Sequence, residues 1–132
     1  MKKIAITTGD PAGIGSEITA KALQFYPLSK DCIFIVYGYF TPPKDGNKIE
    51  KVISVEEAVK SDRIYWTEIG DSEIELGKPT EKSGYIAYRI LEIVAADLQN
   101  KKLDAVVTNP ISKQAIQMLH PEFIGHTEFF AR

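Results

Sequence analysis

The chain has 132 residues, of which 44% are hydrophobic and 26% are charged, as is typical of a soluble globular protein with one folded domain. A net charge of −2 without a dense cluster of lysine and arginine excludes an electrostatic basis for nucleic-acid binding. The single cysteine excludes an internal disulfide, and no stretch approaches the roughly 20 apolar residues of a membrane span. The apolar start of the chain breaks too early for a signal peptide, so we expect a cytoplasmic protein.

The first half of the chain predicts strands around one helix. Residues 4–8 read as a short buried strand, and residues 14–26 repeat apolar side chains at helical spacing. Residues 31–38 form a continuous apolar run, which is typical of a strand that is covered on both faces. Prolines and glycines in residues 40–48 predict a loop. Shorter patterns predict a strand at residues 52–55, a helical turn at 56–60 and a strand at 63–67.

The second half predicts a long helix and then a strand. Residues 80–100 place apolar side chains on one helical face, and residues 104–108 form another short apolar strand. We expect a helix at residues 111–119, with Pro110 at its first position. Strands that alternate with helices predict an α/β layered fold with a largely parallel sheet and flanking helices.

The first candidate site is the loop Thr8-Gly9-Asp10-Pro11-Ala12-Gly13-Ile14-Gly15, between the first strand and the first helix. Gly13 and Gly15 would let a ligand approach the backbone, and the start of the helix offers unpaired N–H groups to an anion. The spacing matches neither the dinucleotide-binding G-x-G-x-x-G pattern nor a phosphate-binding P-loop. A tight structural turn is the alternative, and Asp10 either caps the helix or bonds a ligand hydroxyl.

The second candidate is the segment Thr108-Asn109-Pro110-Ile111-Ser112-Lys113. It places Lys113 in the first turn of a helix, where a cation opposes the helix dipole unless an anion is nearby. Lys113 is therefore a candidate ligand for a phosphate or a carboxylate, and a solvated surface lysine is the alternative.

The third candidate is Gly125-His126-Thr127-Glu128, which places an imidazole, a hydroxyl and a carboxylate at consecutive positions. In the alternative interpretation, His126 or Thr127 caps a following helix with Glu128 in its first turn. His120 is the only other histidine, and its distance from His126 in sequence fits no metal motif. We therefore expect no complete transition-metal site within this chain.

These three segments in this order, together with the Gly84-Tyr85 start of the long helix, resemble the 4-hydroxythreonine-4-phosphate dehydrogenase family. The resemblance implies a fold similar to the isocitrate and isopropylmalate dehydrogenases, NAD or NADP as cofactor, a divalent metal (zinc, magnesium or cobalt), and a homodimer. The implied reaction oxidises the secondary alcohol of 4-phosphooxy-threonine to a 3-keto acid, which loses CO₂ on the route to pyridoxal phosphate (vitamin B6).

The resemblance also implies roles for individual residues. His126 and Thr127 match the substrate-contacting pair of the family and would bind the phosphorylated substrate. No catalytic residue is assigned within this chain. The remaining positions that match the active-site segments are Asp10, Gly13, Gly15 and Lys113.

Members of this family are more than twice as long as this chain, and their three metal-binding histidines lie beyond the matched segments. We therefore expect residues 1–132 to be a single α/β unit, the N-terminal part of a longer dehydrogenase, and to be inactive alone. Two alternatives are a dehydrogenase of a four-carbon sugar acid 4-phosphate, of the erythronate or threonate type, and a non-catalytic fragment that binds phosphate ligands.

Overall fold

A computed structural model describes residues 1–131 and has a five-stranded sheet at its centre. Its strand order is β3-β4-β2-β1-β5, and every neighbouring pair is parallel. The strands are β1 (Lys2–Thr7), β2 (Cys32–Tyr37), β3 (Ile49–Lys51), β4 (Ile64–Thr67) and β5 (Ala105–Thr108). The predicted α/β fold with a parallel sheet is therefore confirmed.

Helices cover both faces of this sheet. Successive side chains of a strand point to opposite faces, so Ile35 packs in the core under α2 while Val36 packs with Leu23 of α1. No helix in residues 1–131 has the length and apolar character that crossing a membrane requires. The helices are α1 (Gly15–Gln24), α2 (Glu81–Gln99), α3 (Lys113–Gln117) and α4 (His126–Phe130), and a 3-10 turn covers Val55–Glu57.

The long helix α2 begins with a capping box, in which Thr80 and Ser83 each bond the backbone N–H of the other. The buried face of α2 packs on one side of the sheet. Near its first turns, α2 also packs against α3. A Cβ atom built on Gly84 would lie 2.0 Å from the carbonyl oxygen of Ala115, so the two helices approach more closely there than any side chain allows.

The helix at α1 is confirmed, but its buried face is not the one with the most apolar side chains. Gly15, Thr19 and Leu23 face the sheet, whereas Ile14 and Phe25 are 64% and 73% exposed. Periodicity therefore identified the helix correctly and did not identify the side that faces the core.

Two local predictions are wrong. The strand expected at residues 52–55 lies earlier, at Ile49–Lys51, because Ser54 and Glu57 form a capping box that starts the 3-10 turn. Pro110 is not the first residue of a helix, since Ser112 caps α3 by accepting a hydrogen bond from the N–H of Ala115 at 3.1 Å.

Candidate functional site

The three candidate segments follow β1 or β5, which are neighbours in the sheet. In the sheet, β2 lies on one side of β1 and β5 lies on the other side. The chain reaches β5 from β4 by a crossover through α2. The loops after β1 and β5 therefore lie on either side of the point where the strand order reverses. In open α/β sheets, ligands bind outside the carboxyl ends of the strands at such a point.

Hydrogen bonds join the first two segments. The side-chain amide of Asn109 donates to the carbonyl of Thr7 and to the hydroxyl of Thr19, both at 2.8 Å. The backbone N–H of Asp10 donates to the carbonyl of Pro110 at 3.0 Å. Because both threonines are buried, these bonds fix the relative position of the two loops. The sequence analysis did not identify Asn109 as the residue that joins the two loops.

The glycines of the first loop differ in how much space surrounds them. Gly9 has a φ of +75°, and a Cβ atom on it would lie 2.3 Å from the carbonyl oxygen of Pro110. A Cβ atom on Gly15 would lie 2.0 Å from the carbonyl oxygen of Thr8. The protein's own backbone therefore requires glycine at both positions. Gly13 is exposed, and its nearest contact would be at 3.4 Å, so its backbone is open to a ligand.

Asp10 stabilises the turn and does not cap the helix. One carboxylate oxygen accepts a hydrogen bond from the N–H of Ala12 at 2.9 Å. The cap position of α1 is Ile14, which has no side-chain hydrogen bond to the helix. The capping interpretation of Asp10 is therefore wrong.

The second and third segments meet at Gly125. Lys113 is the first residue of α3, as predicted for the first helical turn. A Cβ atom on Gly125 would lie 3.6 Å from Cε and 3.9 Å from Nζ of Lys113, and 3.4 Å from Oε2 of Glu128. The ammonium group of Lys113 and the carboxylate of Glu128 therefore border the same space above Gly125, which lies 12 positions after Lys113 in the sequence.

Packing on α2 places α3 and α4 beside each other. Ile116 and Phe123 are buried with Ala87 and Leu91 of α2, and Phe129 packs against the same cluster. His120 lies at the edge of this cluster, stacked on Tyr88 with ring centroids 3.7 Å apart. This packing indicates a structural role for His120.

His126 and Thr127 are the first two residues of α4. Gly125 occupies the cap position without a side-chain bond, so the interpretation of either residue as a helix cap is wrong, while Glu128 lies in the first turn as expected. The Nε2 atom of His126 is buried and has no hydrogen-bond partner within residues 1–131. Burial also lowers the pKa of His126 below its ordinary 6.5, which favours the neutral imidazole.

The site residues form two groups in the structure. Asp10, Gly13 and Gly15 belong to the loop that is bonded to Asn109 and Pro110, whereas Lys113 lies beside Gly125 and the start of α4. In the described part of the chain, no hydrogen bond joins Asp10 to His126 or Thr127. The same residues contain no group of three or more histidine, cysteine, aspartate or glutamate side chains placed to hold a metal ion.

Comparison with known proteins identifies the family. The sequence-family model described as pyridoxal phosphate biosynthetic protein PdxA matches residues 19–132 of this chain. The 4-hydroxythreonine-4-phosphate dehydrogenase of a Sulfurihydrogenibium species is 36% identical over 99% of this chain and 42% of its own length. A relative from Halalkalibacterium halodurans, which carries the name of a D-threonate 4-phosphate dehydrogenase, is 31% identical over 97% of this chain and 42% of its own length.

Solved structures agree with this assignment. A 4-hydroxythreonine-4-phosphate dehydrogenase from Klebsiella pneumoniae superposes with a TM-score of 0.80 at 26% identity, covering 98% of this chain and 43% of that one. One from Burkholderia phymatum gives the same TM-score and identity. This likeness confirms the expected fold of the isocitrate and isopropylmalate dehydrogenase type. The chain spans about 42% of the length of these relatives. It belongs to the family of pyridoxal phosphate biosynthetic protein PdxA.

Proposed function

We propose that this chain is part of a dehydrogenase that oxidises the secondary alcohol of 4-phosphooxy-threonine, with loss of CO₂, in pyridoxal phosphate biosynthesis. The observation that carries the proposal is the match to the 4-hydroxythreonine-4-phosphate dehydrogenase of Sulfurihydrogenibium over 99% of the chain. In this proposal, residues 1–132 form one α/β unit, the N-terminal part of a longer, homodimeric, cytoplasmic enzyme.

The residues of this chain bind and orient the substrate in the proposed reaction. His126 and Thr127 contact the phosphorylated substrate, and the unpartnered Nε2 of His126 is available for a hydrogen bond to it. Lys113 contributes a positive charge at the same place. The loop with Asp10, Gly13 and Gly15 lines the cleft and is held in position by its bonds to the segment after β5.

The family activity implies NAD or NADP and a divalent cation (zinc, magnesium or cobalt), which accept the hydride and polarise the alcohol when bound. The described residues do not form a complete site for the metal, because they contain no group of three or more side chains placed to hold one. In the proposal, the metal ligands therefore belong to other parts of the full-length enzyme.

A related substrate is the second candidate. The relative from Halalkalibacterium is named for D-threonate 4-phosphate, a four-carbon sugar acid that differs from 4-phosphooxy-threonine by a hydroxyl in place of the amino group. A non-catalytic role as a phosphate-binding fragment is the candidate from another class, and it is favoured by the exposed Lys113 beside Gly125.

A chimera tests the proposal. The matched 42% of the Sulfurihydrogenibium enzyme is replaced by residues 1–132, and NAD and NADP reduction is measured with each substrate and each divalent metal. We expect metal-dependent oxidation of 4-phosphooxy-threonine, with weaker activity on threonate 4-phosphate, and a large loss with His126→Ala. A folded chimera that is inactive on both substrates would contradict the proposal.

The 132-residue chain alone is the accompanying test. We expect no metal-dependent NAD reduction by the purified, mass-verified chain, because its described residues form no metal-binding group. Measurable turnover by this chain would show that the assignment of the metal site to other parts of the enzyme is wrong.

A further inference from the structure

The helix α1 covers only part of its face of the sheet. On this face, Ile6 of β1 has Val36 of β2 and Val107 of β5 as its direct neighbours in the strand register. Val36 is completely buried, Ile6 is half-buried, and Val107 is 54% exposed. Parallel sheets are almost always covered by helices on both faces. Within residues 1–131, the cover that such a sheet requires is therefore absent over β5 and incomplete over β1.

The two edges of the sheet differ in charge on this face. At the β3 edge, the ammonium group of Lys51 lies 5.1 Å from the ring centre of Trp66 and 3.0 Å from a carboxylate oxygen of Glu68. At the other edge, β5 consists of Ala-Val-Val-Thr and carries no charged side chain. Charged side chains protect the exposed edges of sheets from contact with other chains. The β5 edge lacks this protection, which is typical of a surface that another part of the protein covers.

An apolar stripe of α1 borders the uncovered strands. The hydroxyl of Ser16 donates to the carbonyl of Tyr39, which follows β2, so this side of α1 faces the loops beyond β2. Ile18 is two positions after Ser16 and therefore lies on the opposite side of the helix, toward β1 and β5. Exposed apolar residues recur on the side of Ile18 at helical spacing, and the stripe consists of Ile14, Ile18, Ala22 and Phe25.

The stripe is distinct from the outward face of α1. That face carries the ion pair between Glu17 and Lys21, whose charged atoms are 3.2 Å apart. The stripe forms one wall of a trough, and the side chains of β1 and β5 form its floor. The trough is lined by Ile14, Ile18, Ala22, Phe25, Ile6 and Val107.

The trough has the dimensions of one helix. Neighbouring strands lie about 5 Å apart, so the width of two strands is about 10 Å, which equals the diameter of a helix. Its length follows from α1, whose 10 residues extend over about 15 Å. A helix of similar length beside α1 would complete the cover on this face of the sheet.

The chemistry and the family membership together indicate the occupant. The lining of the trough is uncharged, so it suits the apolar face of an amphipathic helix better than a charged ligand. This chain covers 42% of the length of the Sulfurihydrogenibium enzyme, so more than half of such an enzyme lies outside the matched part. We propose that the trough binds one amphipathic helix of about ten residues from that unmatched part, which packs beside α1 on β1 and β5. The proposal depends on the length of the relatives and not on the substrate or the reaction.

Hydroxyl-radical footprinting of side chains tests the proposal. The 132-residue chain is compared with the chimera that joins it to the unmatched part of the Sulfurihydrogenibium enzyme. We expect the reactivity of Ile18, Phe25 and Val107 to fall about fivefold or more in the chimera, because the core of a packed interface excludes water. Ile53 and Val59 are the controls, since they are exposed apolar residues near the β3 edge, and their reactivity should not change.

Two results of this experiment would overturn the proposal. The first is unchanged reactivity of the trough residues in a folded chimera. The second is protection that develops in the 132-residue chain alone as its concentration rises, because this result would assign the trough to a second copy of the chain. If the chimera is insoluble, the unmatched part is produced separately and mixed with the chain, and its failure to protect Val107 would also count against the proposal.

A charge in the trough provides an independent measurement. The lysine of Val107→Lys would remain in solvent in the chain alone but would be buried without a partner under the helix in the chimera. We expect this variant to lower the urea midpoint of the chimera and to leave that of the chain nearly unchanged. The matched control, Val59→Lys, should leave both midpoints nearly unchanged. Equal effects of Val107→Lys on the chain and on the chimera would overturn the proposal.

The activity of the chimera separates this proposal from the proposed function. A folded, inactive chimera with a protected trough refutes the function and leaves the helix site intact. An active chimera with a reactive trough refutes the helix site and leaves the function intact.

Discussion

The close approach of α2 and α3 predicts that Gly84→Ala destabilises the fold. A Cβ atom on Gly84 would lie 2.0 Å from the carbonyl oxygen and 2.3 Å from the carbonyl carbon of Ala115. Ordinary contact begins at 3.4 Å, so the helices would have to separate by about 1.4 Å, the difference between these two distances. The obstacle is backbone, so a change of side-chain rotamer cannot relieve it.

Two opposing effects determine the size of this loss. Overpacking of a close contact costs about 3 kcal/mol when the backbone has to move. Replacement of glycine by alanine inside a helix stabilises the helix by about 1 kcal/mol. We therefore expect the free energy of unfolding to fall by about 2 kcal/mol, the difference between these two effects.

Urea unfolding measures this loss. The single tryptophan, Trp66, packs edge-on against Phe40 in the core and provides a fluorescence signal, and circular dichroism reports the helices. Gly13→Ala is the matched control, because Gly13 is exposed and its nearest contact would be at 3.4 Å. We expect the control to stay within about 0.5 kcal/mol of the wild type. A Gly84→Ala protein as stable as this control would refute the reasoning.

Two further predictions follow from the site. Burial lowers the pKa of His126, so the unfolded state binds more protons than the folded state below pH 6.5, and the free energy of unfolding falls as the pH decreases through that range. His126→Gln should make this decrease shallower in urea titrations at several pH values, and an unchanged slope would contradict the buried environment of the ring. Asn109→Ala leaves the Thr7 carbonyl and the Thr19 hydroxyl without their amide donor and should cost about 1–3 kcal/mol. In the Asn109→Ala variant, the backbone amides of the two loops, including that of Asp10, should exchange hydrogen faster than in the wild type. Unchanged exchange rates in this variant would show that Asn109 does not hold the loops together.

Local patterns in the sequence were sufficient for much of the fold. Apolar runs located β1, β2 and β5, and a single helical face located α2 almost to the residue. Both features depend on the spacing of apolar side chains along the chain, which the sequence shows directly. Three motifs in the right order were also sufficient to identify the family. Each motif is a short run of residues, which the sequence shows directly.

The tertiary structure decided what each special residue contacts. Gly15 and Gly84 are glycines because distant carbonyl groups occupy their Cβ positions, and no local pattern reveals such a neighbour. The exposure of Ile14 and Phe25 depends on which side of α1 meets the sheet, which a helical period alone does not specify.

The candidate site shows the same division. The sequence by itself placed Lys113 in the first turn of a helix and assigned Lys113, His126 and Thr127 to recognisable motifs. Only the packing of α3 and α4 on α2 placed the ammonium group of Lys113 beside Gly125 and buried the Nε2 atom of His126 without a partner. The physical reason is that backbone propensities act over a few neighbouring residues, whereas a binding site requires groups from separate segments to meet in space.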